Sequence, residues 1–149
     1  MSYRLVFALA VLGAAPSVHA AANCAANLEG SDAMRYNLAN IDVPRSCTTF
    51  TIHLKHTGKL ARAVMGHNVV IAKPADMAGI DADGMKAGLA DNYIKPGDAR
   101  VIAHSTVVGG GESTSVSFPV AKLGKTPTEF FCSFPGHSAF MKGTLTLKP

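Results

Sequence analysis

The twelve residues Phe130–Met141, FFCSFPGHSAFM, place a cysteine, a histidine and a methionine close together in the chain. Four residues separate Cys132 from His137, and three separate His137 from Met141. A Pro-Gly pair stands between the cysteine and the histidine and disfavours a regular helix. The segment is therefore predicted to be a tight loop between two strands, and such a loop can turn all three side chains toward one point.

This loop carries thiolate, imidazole and thioether groups, which are soft ligands that favour copper or zinc over magnesium or calcium. Two histidines and a cysteine with a weak axial methionine are the ligands expected of a blue copper electron-transfer site. The second histidine must come from elsewhere, and His53, His56, His67 and His104 are the candidates outside the first twenty residues. We favour His67 because the preceding Gly66 has no side chain, so its backbone carbonyl can approach a metal closely.

Strand-sized segments surround the loop on both sides in the sequence. They are Thr48–Leu54, Asn68–Ala72, Val101–Ser105, Ser113–Phe118, Thr128–Cys132 and Gly143–Leu147. They are rich in β-branched or alternating apolar residues, and glycine and proline clusters separate them. The pattern predicts an all-β fold, an antiparallel sandwich or barrel. Asp76–Ala90 breaks this pattern and predicts a short helix with loops inserted between strands, because its glycines disfavour one long helix.

The composition indicates one compact folded domain. The chain has 149 residues, 48% of them apolar and only 16% charged, which excludes a disordered chain. Fourteen Lys and Arg outnumber ten Asp and Glu, but the basic residues are scattered. Because phosphate recognition requires clustered basic charge, we expect no nucleic-acid partner.

The first twenty residues have the features of a secretory signal peptide. Arg4 precedes the apolar stretch Leu5–Ala15, and Val18–Ala20 ends in a small-residue cleavage site. The apolar stretch is too short to span a bilayer core of ~30 Å, so no membrane anchor is expected. We expect residues 1–20 to be the signal peptide, with cleavage as late as residue 22, and residues 21–149 to form a single domain.

Export to an oxidising compartment changes what the three cysteines can do. Cys24 and Cys47 can pair near the mature N-terminus, which leaves Cys132 unpaired. An unpaired thiol in an exported protein is usually protected by burial, by a metal or by a partner.

The loop and several other segments together resemble the azurin family of blue copper proteins, within the wider cupredoxins. CSFPGHSAFM is similar to the azurin copper loop, and MGHN at Met65–Asn68 is similar to the segment that carries the first azurin histidine. The similarity extends to the spacing of Cys24 and Cys47, to Ala75–Met77, Asp83–Met85 and Val101–His104, and to the ending Met141–Lys148.

The resemblance implies a fold and a set of copper ligands. The fold would be a Greek-key cupredoxin sandwich with a short inserted helix. One copper ion would be bound by His67, Cys132 and His137, and Met141 and the Gly66 carbonyl would take the long axial positions.

Other residues near the ligands are assigned roles in the same way. Asn68 resembles the residue that ties the two ligand segments together, and His56 resembles an azurin histidine that titrates near the copper without binding it. The backbone N–H of Phe134 is expected to donate a hydrogen bond to the sulfur of Cys132. Val69 and Phe140 differ from the residues more usual in azurins, but neither is a ligand.

The function implied by the resemblance is one-electron transfer in the periplasm rather than enzymatic catalysis. His137 would reach the surface within an apolar rim for docking redox proteins such as c-type cytochromes or periplasmic reductases. The rim is expected to consist of Met34, Leu60, Val64, Met65, Met85, Phe134, Pro135, Ala139 and Phe140. Such a rim suits brief docking through a small interface, and we expect the protein to be a monomer.

Two other classes of protein compete with the electron carrier as interpretations of these residues. A cysteine-nucleophile enzyme using Cys132 and His137 is disfavoured, because bulky apolar neighbours surround the cysteine and leave little room for a substrate. A copper or zinc storage or delivery protein could use the same ligands, since affinity alone does not select the metal. An intense blue colour that is lost on reduction would distinguish the electron carrier from both.

Overall fold

The structure is a computed structural model that describes residues 23–124 and 126–149, and it is mostly β. The strands are β1 (Ala25–Ser31), β2 (Arg35–Tyr36), β3 (Asn40–Pro44), β4 (Thr49–His56), β5 (Val70–Ala72), β6 (Ala103–His104), β7 (Ser113–Pro119), β8 (Thr128–Phe131) and β9 (Lys142–Lys148). The helices are α1 (Arg62–Met65) and α2 (Met77–Ala87). The predicted signal peptide lies outside the described residues.

The strands form two sheets. One has four strands in the order β2-β1-β4-β7, and the other has five in the order β3-β9-β8-β5-β6. The predicted all-β sandwich is therefore confirmed, and the six strand segments predicted from the sequence all form strands. The sheets are mixed rather than antiparallel, however, because β1 runs parallel to β4 and β3 runs parallel to β9.

The core lies between the two sheets and follows from alternation along the strands. On β4, Phe50, Ile52 and Leu54 are buried while the residues between them face outward. On β7, Val116 and Phe118 are buried in the same way. Because successive side chains point to opposite faces of a strand, these residues form a continuous apolar layer. Phe130, at the start of the Phe130–Met141 segment, belongs to the same core cluster.

The helix α2 is the short insertion expected between strands. Within it, Ile80 is fully buried. Gly84 allows the following loop to pack closely, because a Cβ at this position would lie 2.0 Å from the carbonyl oxygen of Tyr93. No helix among residues 23–124 and 126–149 is long and apolar enough to cross a membrane.

The expected disulfide closes the N-terminal part of the domain. Cys24 and Cys47 are bonded across a separation of 23 residues, while Cys132 is a free, buried thiol. The pairing predicted from the sequence is confirmed, and it leaves the third cysteine available for a metal.

Candidate metal centre

The segment after β8 is a compact turn, as predicted. The backbone N–H of Cys132 donates to the carbonyl of Met141 at 3.0 Å, which closes the loop at its base. Within it, His137 N–H donates to Phe134 at 2.9 Å, and Met141 N–H donates to His137 at 2.8 Å. Gly136 has φ +80°, a left-handed conformation that favours glycine. These bonds fix the directions of the Cys132, His137 and Met141 side chains.

His67 comes to the loop from the segment between α1 and β5. Its backbone forms an antiparallel bridge with Val108, with N–H to O distances of 2.9 and 2.8 Å. The preceding Gly66 is tightly packed, because a Cβ there would lie 2.4 Å from the carbonyl oxygen of Arg62. A side chain would clash here, which explains why glycine precedes the histidine. Because Gly66 has no side chain, its backbone can approach the site.

His67, Cys132 and His137 form one cluster of possible metal ligands. One ligand atom from each lies within 4.8 Å of the others. The sulfur of Cys132 is 3.7 Å from Nδ1 of His137 and 3.9 Å from the carbonyl oxygen of Gly66. His67 and Cys132 are fully buried, and His137 is 3% exposed. The fold therefore brings together the residues that the sequence separates.

The ring of His67 is oriented for a metal by a hydrogen bond on its far side. Nε2 lies 2.9 Å from the carbonyl oxygen of Ser31, and a carbonyl only accepts, so Nε2 carries the proton and donates. Nδ1 is then left with a lone pair, and it is buried without a hydrogen-bond partner. An orphaned buried nitrogen beside a thiol fits a metal ion, since metal-binding histidines commonly donate from the other ring nitrogen in this way.

The cluster holds little charge in the metal-free protein. Burial raises the pKa of the Cys132 thiol to about 12, while hydrogen bonds from the backbone N–H groups of Asn68 and Phe134 oppose the rise. Burial also lowers the pKa of His137 to about 4, helped by the positive charge that His67 and His56 would carry. The imidazoles are thus neutral ligands, and the N–H donors needed to stabilise a thiolate are already in place.

Met141 closes the same pocket from the end of the loop. Its side chain is fully buried and packs in one apolar cluster with Cys132, Val107 and Phe134. A Cβ added to Gly30 would lie 2.8 Å from the His67 ring and 3.3 Å from the Met141 methyl group. The methionine is therefore close to the ligand cluster.

Asn68 joins the two segments that carry the ligands. Its Oδ1 accepts a hydrogen bond from the backbone N–H of Ser133 at 2.9 Å, and its Nδ2 donates to Ser133 Oγ at 2.9 Å. Nδ2 also donates to the carbonyl of Asn92 at 3.0 Å. These contacts link the two segments, and Ser133 supplies the partner groups although no sequence motif marks it.

The remaining histidines lie outside the cluster. His53 and His104 are exposed on strands. His56 is buried and stacks on His67 with ring centroids 4.2 Å apart. Its Nε2 donates to the Met65 carbonyl at 2.7 Å and its Nδ1 accepts from Gly58 N–H at 3.0 Å. Both nitrogens of His56 are therefore occupied by the backbone.

Apolar side chains are exposed beside the cluster. Among the residues that the structure describes, the exposed large hydrophobic side chains are Leu60, Val64, Met85 and Phe140, at 41 to 62% exposure. All four belong to the predicted rim, and Pro135 and Ala139 are also exposed. Three other rim residues are less accessible, since Phe134 is buried and Met34 and Met65 are half-buried.

Comparisons with known proteins agree with this geometry. The sequence model of a family described as copper binding proteins, plastocyanin/azurin family, matches residues 22–148. The azurin of Achromobacter denitrificans is 58% identical over 140 residues, which cover 92% of this chain and 93% of the relative. The chain belongs to the plastocyanin/azurin family.

Further relatives extend the match to nearly the whole chain. The azurin of Bordetella pertussis is 50% identical over 148 residues, covering 99% of both proteins. A solved structure of an azurin (Az-iso2) from the methylotroph Methylomonas sp. strain J is similar with a TM-score of 0.82 and 43% identity. The aligned region covers 86% of this chain and 100% of the Methylomonas chain. The fold is therefore the two-sheet cupredoxin fold.

Family membership determines the class of function. Azurins bind one copper, and His67, Cys132 and His137 are the candidate site for it here. The protein is a blue copper electron carrier rather than an enzyme. The structure agrees with this, because the only free thiol among the described residues, Cys132, is fully buried with a raised pKa and is no accessible nucleophile.

Proposed function

We propose that the protein carries single electrons between redox proteins of the periplasm, with copper held by His67, Cys132 and His137. Met141 and the carbonyl of Gly66 would be weak further ligands. The observation that carries the proposal is the convergence of two imidazoles and one thiol within 4.8 Å in a buried pocket. Bound copper supplies the one-electron chemistry by alternating between Cu(II) and Cu(I).

The residues around the pocket keep it in one arrangement in both oxidation states. Ser31 holds the ring of His67, the backbone of the loop holds His137, and Asn68 ties the two segments together. Because these ligands are held by the fold, little has to rearrange when the electron moves. Burial excludes water from the thiolate, and the N–H groups of Asn68 and Phe134 donate to it.

His137 is the proposed port through which the electron enters and leaves. His137 keeps 3% of its surface exposed, whereas His67 is completely buried. The exposed apolar side chains Leu60, Val64, Met85 and Phe140 form the proposed docking face, together with the other rim residues. A small apolar face allows fast dissociation after transfer, which suits a carrier that must meet two partners in turn.

The proposed location rests on the sequence and on the disulfide. Residues 1–20 have the features of a signal peptide, and the Cys24–Cys47 bond is typical of an oxidising compartment. We propose that residues 21–149 form the exported domain, which acts as a monomer in the periplasm. Its partners would be c-type cytochromes or periplasmic reductases.

The test is the colour of the copper-loaded protein. Loading with one equivalent of Cu(II) should give an intense visible sulfur-to-copper band that disappears on reduction and returns on oxidation. A protein that binds copper without this band, or that loses the metal on reduction, would be a storage or delivery protein instead. Export is tested separately by finding the processed chain, cleaved within residues 20–22, in a periplasmic extract.

A further inference from the structure

Asn92 takes a backbone conformation that most residues avoid. It follows Leu89–Asp91, a single turn of 3-10 helix that comes after α2, and its φ of 56° and ψ of 28° are left-handed. Asparagine adopts this conformation more readily than most residues that carry a side chain. Asn92 is half-buried, and its backbone carbonyl and side-chain oxygen both accept hydrogen bonds from other parts of the chain.

The backbone carbonyl of Asn92 completes the hydrogen bonding between the two segments that carry the ligands. It accepts from Nδ2 of Asn68 at 3.0 Å and from the hydroxyl of Ser133 at 3.4 Å. One proton of the Asn68 amide already goes to Ser133 Oγ, so the Asn92 carbonyl takes the second amide proton and the hydroxyl proton. Asn68 and Ser133 are both buried. Without this carbonyl, two donors would be left unpaired away from water, which destabilises a fold.

The side chain of Asn92 holds a third segment. Its Oδ1 accepts a hydrogen bond from the backbone N–H of Val107 at 2.9 Å. The side chain of Val107 is buried and packs in the same apolar cluster as Cys132. The next residue, Val108, exchanges two backbone hydrogen bonds with His67. The Asn92 amide is therefore bonded to the segment whose backbone pairs with the first proposed ligand.

We propose that Asn92 is a positioning residue of the metal centre, which joins the chain after α2 to the His67 segment, to the Cys132 loop and to the Val107–Val108 segment. It acts through the residues next to the ligands, because Asn68 follows His67 and Ser133 follows Cys132. This inference rests on the proposed function, since the residues that Asn92 positions are the proposed copper ligands. Groups that hold metal ligands in place from outside affect the affinity for the metal.

The experiment compares Asn92→Gly with Asn37→Gly as the matched control. Glycine adopts the left-handed conformation readily, so Asn92→Gly retains the direction of the backbone carbonyl and removes the side-chain acceptor. Asn37 also accepts a hydrogen bond from a backbone N–H, that of Glu29 on β1 at 2.8 Å, so its variant loses a bond of the same kind elsewhere. Asn92→Asp is the conservative variant, because it retains an oxygen that can accept from Val107.

Amide hydrogen exchange of the metal-free protein gives the first readout. In Asn92→Gly the backbone N–H groups of His67 and Val108 should exchange faster than in Asn37→Gly, because the segment that pairs them has lost its anchor. Neither substitution removes the hydrogen bonds of these two N–H groups themselves. Asn92→Asp should restore slow exchange. If the two groups exchange equally in both glycine variants, or as fast in Asn92→Asp as in Asn92→Gly, the inference is wrong.

The copper-loaded protein gives the second readout. Asn92→Gly should bind Cu(II) about tenfold more weakly than the wild type and should have a shifted visible band, whereas Asn37→Gly should match the wild type in both. An unchanged affinity and an unshifted band in Asn92→Gly would overturn the inference, even if exchange is faster. If the wild type binds Cu(II) but does not turn blue, the proposed function is wrong, and the affinities and exchange rates still decide whether Asn92 positions the site.

Discussion

Asn68 and Ser133 exchange two hydrogen bonds of 2.9 Å across the metal centre, one to the backbone and one to the side chain of the serine. Each residue is directly next to a proposed ligand, since Asn68 follows His67 and Ser133 follows Cys132. Both are buried. The pair therefore joins the segment that carries His67 to the loop that carries Cys132.

Replacing Asn68 by Leu should destabilise the metal-free protein by about 2 kcal/mol, because the buried N–H of Ser133 loses its partner. Urea unfolding of the metal-free protein measures this. The control is Asn27→Leu on the exposed face of β1, where a change within about 0.5 kcal/mol is expected. Equal stability of the two variants would show that the Asn68–Ser133 pair does not hold the segments together.

Cys132→Ser should abolish the blue band, because a hydroxyl is a poor substitute for a thiolate ligand. The visible spectrum after addition of Cu(II) is the measurement. The control removes the other two cysteines together: Cys24→Ala/Cys47→Ala should keep the colour but lose about 3 kcal/mol of stability, since that disulfide closes a loop of 23 residues. A serine variant as blue as the wild type would contradict the assignment of Cys132.

The strands that the sequence predicts differ physically from those it does not. β4, β7 and β9 carry alternating or β-branched residues, so local pattern alone identifies them. β1 and β3, AANLEGS and NIDVP, carry Asn, Gly, Asp and Pro, which are depleted in strands. They are extended because each pairs in parallel with a distant strand, and no local pattern encodes such pairing.

The residues of the site also divide into those that the sequence predicts and those that it does not. Cys132, His137 and Met141 are predictable because one short loop contains them. The role of Ser133 follows only from its tertiary contacts with Asn68, and nothing in its neighbouring residues indicates it. His67 is intermediate, since its preceding glycine and the resemblance to azurins favour it over the other histidines.

Met141→Leu should retain copper and the blue colour but raise the reduction potential, because a hydrocarbon side chain donates less to Cu(II) than a thioether does. Leu is close to Met in volume, so the buried position should lose less than about 1.5 kcal/mol. Voltammetry of the loaded variant measures the shift. Complete loss of copper binding would show that Met141 is a principal ligand rather than a weak axial one.

Asp98→Asn should destabilise the protein at pH 7 and much less at pH 2. Hydrogen bonds from Arg100, at 2.8 and 2.5 Å, lower the pKa of Asp98 from 3.8 to about 2. A carboxyl with a lowered folded pKa contributes stability above its unfolded pKa, and that contribution is lost as the pH falls through the folded value. The wild-type advantage should therefore fade between about pH 4 and pH 2 in urea unfolding. Asp42→Asn, in an exposed pair with Lys148, is the control and should have little effect at any pH.

His137→Gly should give a protein whose copper site is open to small molecules. His137 is 3% exposed, so removal of its ring should leave a gap that reaches solvent, whereas removal of the fully buried His67 ring should leave a closed cavity. The variant should bind copper with an altered spectrum, and added imidazole should restore the blue band by filling the gap. His67→Gly, the matched variant, should respond to imidazole much less.

Electron exchange gives the second measurement on the same variant. Without imidazole, His137→Gly should exchange electrons more slowly than the wild type, because the proposed path from the metal to the docking face runs through this ring. Imidazole should recover the colour and part of the rate. If imidazole rescues both glycine variants equally, or does not rescue His137→Gly at all, His137 is not the electron port, even where the other assignments of copper ligands hold.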